Sequence, residues 1–205
     1  VIAYVLGNGE SRAFLNLPKI TKGHTIIGCN ALYRDIRVDH LICCDKRMAE
    51  EAVKNIEHKD TKIYVRDSWY RYFRKIKKDK RVNQLPQVPK PEGSRRKQDE
   101  AFHWGSGPYA VLVASALPNV TEVRLLGFDL YGIDNKINNI YKGTPNYKEA
   151  GYQAVDPSFW KYQIGKVFSY NSHIKFTIYN RVDWNMPLEW KLNNVNFSPF
   201  SLDKA

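Results

Sequence analysis

Val1-Ile-Ala-Tyr-Val-Leu-Gly7-Asn8-Gly9-Glu10-Ser11-Arg12 decides how this chain is read. Val1–Leu6 is an apolar run of strand type that enters Gly7-Asn8-Gly9 directly. The polar pair Ser11-Arg12 then stands where a helix would start. This is the layout of a phosphate- or nucleotide-binding turn at the carboxyl end of a first parallel strand. Glycines let the backbone approach a ligand, and the free N–H groups of a helix start attract its negative charge. Gly7 and Gly9 supply two glycines of the dinucleotide fingerprint, but position 12 is Arg rather than Gly or Ala.

Working outward, further apolar runs predict strands at Thr25–Cys29, His40–Cys44, Lys62–Arg66, Glu122–Leu126 and Lys175–Tyr179. Helices are predicted over Lys46–Ile56, Ser68–Lys80, Gly107–Leu117 and Ser158–Ser169. Val82–Lys97, with Pro86, Pro89 and Pro91, reads as a loop. Gly132–Pro157 is polar, rich in Asn, Lys and Tyr, and has no clear period; residues 181–205 read as an irregular tail. Apolar strands alternating with helices predict an α/β fold, a Rossmann-like and mostly parallel sheet with helices on both faces. The 205 residues suit one domain, with a basic insertion at 71–97.

No run approaches the length of apolar chain that spans a bilayer. The three cysteines, Cys29, Cys43 and Cys44, lie in or beside strand-like runs, and neighbours on a strand face opposite ways. An odd number of such thiols points to core positions and to the cytoplasm or another reducing compartment. The net charge of +11 is concentrated: residues 71–97 hold eleven Lys/Arg against Asp79 and Glu92. Arg71, Arg74, Lys75, Lys77, Lys78, Arg95 and Arg96 are the candidate contacts to nucleic acid or an acidic partner. Cations track phosphates, and the interleaved Trp69, Tyr70, Tyr72 and Phe73 offer rings for stacking. A solvated helix face with its aromatic rings turned inward is the plainer alternative.

His103-Trp-Gly-Ser106-Gly107-Pro-Tyr109 is the second notable cluster. Ser106 suits an N-cap, with Pro108 in the first turn. It equally suits a second set of backbone donors facing the first glycine turn.

Taken in order, Gly7-Asn8-Gly9-Glu10-Ser11, Cys29-Asn30, Ser106-Gly107 and Gly127-Phe-Asp129-Leu-Tyr131 resemble the motifs of bacterial sialyltransferases that use CMP-activated sialic acid. Those motifs have the forms Gly-Asn-Gly-Pro-Ser, Cys-Asn, Ser-Gly and Gly-Ile-Asp-Phe-Tyr. The frame also resembles a wider Rossmann-like group that includes 6-hydroxymethylpterin pyrophosphokinase-like proteins, with an Asp after the third strand as Asp45 is here. The resemblance implies transfer of a sugar from a CMP-type donor to a glycan or other acceptor, with no tightly bound cofactor and no required Mg²⁺. It implies that Asn8, Asn30, Ser106 and Gly107 hold the donor, with Gly7, Gly9, Ser11 and Asp129 completing the binding set. Gly132–Pro157 stands where the family carries its lid, so the resemblance implies a lid-like insertion at 132–157. Tyr131, and a lid tyrosine for which Tyr141 is the nearest candidate, would bind the departing phosphate.

Two departures from the family pattern matter. The family's general base is a His beyond the lid, whereas Tyr152–Trp160 contains none. Asp156 stands there, either as a substitute base or as a helix-start cap, and His103 is the other catalytic candidate. Glu10 replaces the family's Pro and brings a negative charge to a proposed phosphate site. Asp45 and Asp129 together would hold Mg²⁺ in a diphosphoryl transferase. A catalytically degenerate nucleotide- or nucleic-acid-binding protein that uses 71–97 is the remaining alternative. Oligomeric state has no signature in the sequence.

Overall fold

The computed structural model describes residues 1–200. Eight strands form one sheet in the order β5-β4-β3-β2-β1-β6-β7-β8. They are β1 (Ile2–Leu6), β2 (Thr25–Cys29), β3 (His40–Cys43), β4 (Lys62–Val65), β5 (Val82–Gln84), β6 (Glu122–Leu126), β7 (Lys175–Asn180) and β8 (Val195–Pro199). Every pairing is parallel. The order reverses between β1 and β6, which register Leu6 against Leu126. Loops diverge at such a switch point and leave a crevice beyond the carboxyl ends of the strands.

Strand alternation divides the interior in two. Ala3 and Val5 of β1 face one core, built with α4 (Ser106–Ala116) and α5 (Ser158–Tyr170). Tyr4 and Leu6 face the other, built with α2 (Lys46–Asn55). Cys43 and its neighbour Cys44 face opposite cores, as period two requires, and all three cysteines are free thiols. Asn16 caps the short α1 (Leu17–Ile20). No helix among the described residues is long and apolar enough to cross a membrane.

The expected α/β architecture holds, and the sheet is parallel throughout. Three sequence expectations are corrected. Val82–Gln84 is the edge strand β5, with Val82 buried and the Leu85 N–H donating to Val65 O, so the loop starts only as the prolines arrive. The tail carries the other edge, β8, and its Trp184 and Trp190 are buried; residues 201–205 lie outside the described part. The basic helix is α3 (Asp67–Arg71) followed by a π turn over Tyr72–Ile76, closed by the Lys77 N–H donating to Tyr72 O. Residues 132–157 contain no helix and only isolated bridges, Ile133–Lys136 and Lys136–Gln153.

Candidate functional site

The loops after β1 and β6 press together at the switch point. A Cβ on Gly7 would stand 2.5 Å from Gly127 O, and one on Gly127 would stand 2.7 Å from Gly7 O. Gly127 also has φ +73°, a conformation that side chains disfavour. The Gly7 N–H donates to Leu126 O and the Gly9 N–H to Gly127 O, so the two turns are stitched by backbone bonds. Arg12 lies buried beneath them, its Nε donating to Gly7 O at 2.5 Å. A glycine there would leave that carbonyl without its guanidinium partner, which accounts for the missing third glycine.

Asp129 is the hub beneath the turn. Its Oδ2 accepts from the Ser11 N–H (2.9 Å) and Asn138 Nδ2 (3.0 Å). Its Oδ1 accepts from Ser11 Oγ and from Asn180 Nδ2 (3.3 Å), and its backbone carbonyl accepts from Trp184 Nε1 (2.8 Å). This buried carboxylate and Ser11 are thereby occupied in holding loops, not a ligand.

Between these turns and the start of α4 opens a cleft of about 220 Å³. Gly7, Asn8, Gly9, Asn30, Ser106, Gly107 and Asp129 all line it, together with Cys29, Asn138 and Trp160. Burial pushes the Cys29 thiol up to about 12, with Cys44 adding to the shift, so it stays protonated and unreactive. Asn30 takes the left-handed conformation (φ 51°), and its Oδ1 accepts from Ser106 Oγ at 3.1 Å. Ser106 Oγ accepts in turn from the Cys44 N–H. Ser106 is therefore not the N-cap. Gly105 holds that position, Ser106 is the first helical residue, and its hydroxyl ties the ends of β2 and β3 to α4. The Ser106 and Gly107 N–H groups at the start of α4 remain available to an anion.

Asn8 donates from Nδ2 to Cys29 O and to the Tyr147 hydroxyl, each at 3.3 Å. Its Oδ1 is buried and has no hydrogen-bond partner. Tyr147, rather than Tyr141, is the tyrosine of 132–157 that reaches Asn8, and its hydroxyl also accepts from the Ala31 N–H. Tyr141 is buried, donates to Asp35 and accepts from Arg12 Nη2, so it lies outside the cleft. Burial pushes both phenols up.

Two further cavities adjoin the cleft and share Leu130 with it. One of about 560 Å³ is lined by Tyr131, Lys161, Arg181, Asp183 and Trp184; the other, of about 210 Å³, by Tyr131, Tyr147, Lys148 and Trp160. Leu130, where all three meet, has φ 58°. A β-branch-free but bulky residue held in that region stores strain, and such strain gathers at functional sites. Tyr131 therefore flanks the cleft rather than lining it. Burial, and next the Asp129 carboxylate, push its phenol up.

The other candidates lie elsewhere. His103 sits 3.7 Å from Glu100, packs against Phe102 and Phe159, and does not reach the cleft. Asp156 is exposed and accepts from the Ser158 N–H at 2.9 Å just ahead of α5, whose N-cap is Pro157. Asp45 caps α2 by accepting from the Arg47 N–H, far in partnership from Asp129, and no group of three His, Cys, Asp or Glu among the described residues could hold a metal ion. Glu10 is neutralised by Lys142 from the 132–157 segment, and its N–H donates to Asn138 Oδ1, so its charge does not stand against an anion. Arg71, Arg74, Lys75, Lys77 and Lys78 do not line the cleft, while Arg95 and Arg96 belong to the separate loop after β5.

Sequence reasoning missed Tyr147, Asn138 and Trp160. The Asn-rich composition of 132–157 was the available signal for Asn138. Trp160 was hidden inside a helix prediction, and its Nε1 would stand 3.1 Å from a Cβ on Gly105.

No family model matches the chain, and no curated protein does. Solved structures do. The chain is similar to the monofunctional alpha-2,3-sialyltransferase Cst-I from Campylobacter jejuni, with TM-score 0.61 and 15% identity over 96% of this chain and 82% of that one. A variant of the sialyltransferase CST-II in complex with CMP matches with TM-score 0.53 and 15% identity, over 96% of this chain and 86% of that one. A variant of the alpha-2,3/8-sialyltransferase CstII gives TM-score 0.52 and 15% identity, over 97% and 87%. The fold of this chain is sialyltransferase-like.

Proposed function

We propose that this chain is a glycosyltransferase that holds a CMP-type nucleotide sugar in the switch-point cleft and passes the sugar to a glycan or other acceptor by direct displacement at the anomeric carbon. One observation carries this most directly: Asn8 Oδ1, at the cleft, is a buried acceptor without a donor. A buried polar atom left unpaired is costly, and a ligand N–H or O–H would satisfy it. The likeness in fold to sialyltransferases supports the same conclusion. Asn8, Asn30, Ser106 and Gly107 would bind the donor. Tyr131, with its raised phenol, keeps its proton at neutral pH and would donate it in a hydrogen bond to the departing phosphate.

Calorimetry with CMP, CDP, UDP, GDP and ATP tests the proposal. CMP is expected to bind, and Asn8→Ala to weaken it about tenfold, as loss of one or two buried hydrogen bonds does. Silence from all five nucleotides at millimolar concentration would end it.

A second function, nucleotide binding without transfer, is favoured by one feature. The carboxylate lining the cleft, Asp129, is occupied by four side-chain and backbone donors, and no histidine lines the cleft. Release of CMP from a CMP-sugar in the presence of an acceptor separates the two. Binding without any release supports the second. The Mg²⁺-dependent diphosphoryl transferase draws no support from the site, because Asp45 and Asp129 are spent on a helix cap and a loop hub.

A further inference from the structure

The basic segment has one residue that does not belong to a nucleic-acid surface. Ile76 is 65% exposed, although Phe73, three positions earlier, is buried. In an uninterrupted α-helix Trp69, Phe73 and Ile76 share one face, since their spacing is i, i+4, i+7. The π turn over Tyr72–Ile76 inserts a residue into that register, and Ile76 leaves the core. Such turns are rare and recur at functional sites.

Around Ile76 the cations have no carboxylate partners. Arg71, Lys75, Lys77, Lys78 and Lys80 are all exposed, and among the described residues none of them forms an ion pair. The only acid within 71–81, Asp79, is committed to Arg81, which also donates to Ile56 O and Val53 O and so fastens the segment to α2. The aromatic rings are not offered to a ligand. Trp69, Tyr70 and Tyr72 pack on the core, Lys46 covers Trp69 at 4.8 Å, and Lys46 and Lys77 lie over Tyr72 at 5.7 and 5.6 Å. What faces water is an aliphatic side chain ringed by positive charge.

We propose that the outer face of residues 71–80 docks this protein onto an anionic phospholipid surface. Ile76 enters the interface, and Arg71, Lys75, Lys77, Lys78 and Lys80 meet the headgroups. Base stacking needs open aromatic faces, which this segment withholds; insertion into a lipid interface needs an exposed aliphatic side chain, which it supplies. The segment runs from the carboxyl end of β4 to the amino end of β5, so its basic turn stands at the end of the sheet opposite the cleft. Docking there leaves the cleft open to water, and it does not depend on what the cleft binds.

The test is sedimentation of the whole protein with phosphatidylcholine vesicles, and with vesicles in which part of that lipid is replaced by phosphatidylserine. The protein should pellet only with the anionic vesicles and dissociate as salt rises. Lys75→Gln with Lys77→Gln and Lys78→Gln should weaken binding on the order of 100-fold. Ile76→Ser, which leaves charge unchanged, should weaken it several-fold. Unchanged melting temperatures of both variants would show that each is folded. No pelleting with anionic vesicles would overturn the proposal. So would unchanged vesicle binding by Ile76→Ser, and tight single-stranded RNA binding alongside that result would make the patch a polynucleotide site.

Discussion

The cleft and the basic turn lie at opposite ends of one sheet and treat charge in opposite ways. At the cleft nearly every charged or polar side chain is already engaged: Asp129 by its donors, Glu10 by Lys142, Arg12 by Gly7 and Tyr141. The buried side-chain atom left unpaired there is a neutral amide oxygen, Asn8 Oδ1. At the basic turn the cations are left over and the aromatic rings are engaged. The proposed recognition in the cleft would therefore come from shape, backbone donors and a few neutral groups, and should vary little with salt. The proposed recognition at the turn would come from net charge and should vary strongly with it.

The largest effect expected of any single change is at the hub. Asp129→Ala leaves the Ser11 N–H and hydroxyl and the amides of Asn138 and Asn180 without their acceptor. A loss of about 3–5 kcal/mol follows from several buried donors left unpaired together. Thermal unfolding measures it, and nucleotide binding should disappear with it. A small loss would mean that the cleft wall is not prebuilt, and the contrast with the basic turn would collapse.

Two glycines sharpen the same point. Gly7→Ala drives a Cβ to 2.5 Å from Gly127 O, a backbone atom that has no room to retreat. It should cost about 1–3 kcal/mol, as overpacking does. Gly107→Ala meets only Phe128 at 3.4 Å, ordinary contact, and should change stability by less than about 0.5 kcal/mol. Both residues line the cleft, so both substitutions should weaken nucleotide binding. Stability and binding part company at Gly107 and fall together at Gly7.

These contrasts also explain what was legible in the sequence. Gly7, Asn8, Gly9, Asn30, Ser106 and Gly107 sit at strand ends and a helix start, and a parallel sheet gathers those positions whatever the details of packing. Local pattern was enough to find them. It could not separate the cleft-lining Asn8 from Ser11, whose hydroxyl turns under the loop to Asp129, because the two differ in direction and not in spacing. Nor could it choose Tyr147 over Tyr141, since a segment without a period does not say which way its side chains face. The edge strands were hidden for another reason. β5 is three residues, Val-Asn-Gln, and β8 ends in Pro199; edge strands carry polar residues and proline because only one side of their backbone is paired.

A smaller effect comes from pH at the basic end. Hydrogen bonds from Arg81 outweigh burial and hold the Asp79 carboxyl below its ordinary value. A carboxyl lowered on folding stabilises the fold above its unfolded value of about 3.9, and that stability is lost as pH falls through this value toward the folded one. Asp79→Asn should therefore flatten the fall in melting temperature between about pH 5 and pH 3 relative to the unaltered protein. An unchanged slope would mean that Asp79 does not pin the basic turn to α2.

The smallest effect is the most discriminating. Replacing Lys75, Lys77 and Lys78 by Gln removes three exposed cations with no carboxylate partner among the described residues. The contact of Lys77 over the Tyr72 ring is lost while repulsion among neighbouring cations is relieved, so stability should stay within about 1 kcal/mol. Nucleotide binding in the cleft should also be unchanged at moderate salt, because the turn lies a sheet's length away and screened charge does not carry that far. Only association with anionic surfaces should fall. If calorimetry showed weaker nucleotide binding in this variant, the cations would be acting on the cleft through the protein's long-range field. The two ends would then be one electrostatic unit rather than two sites built on different principles.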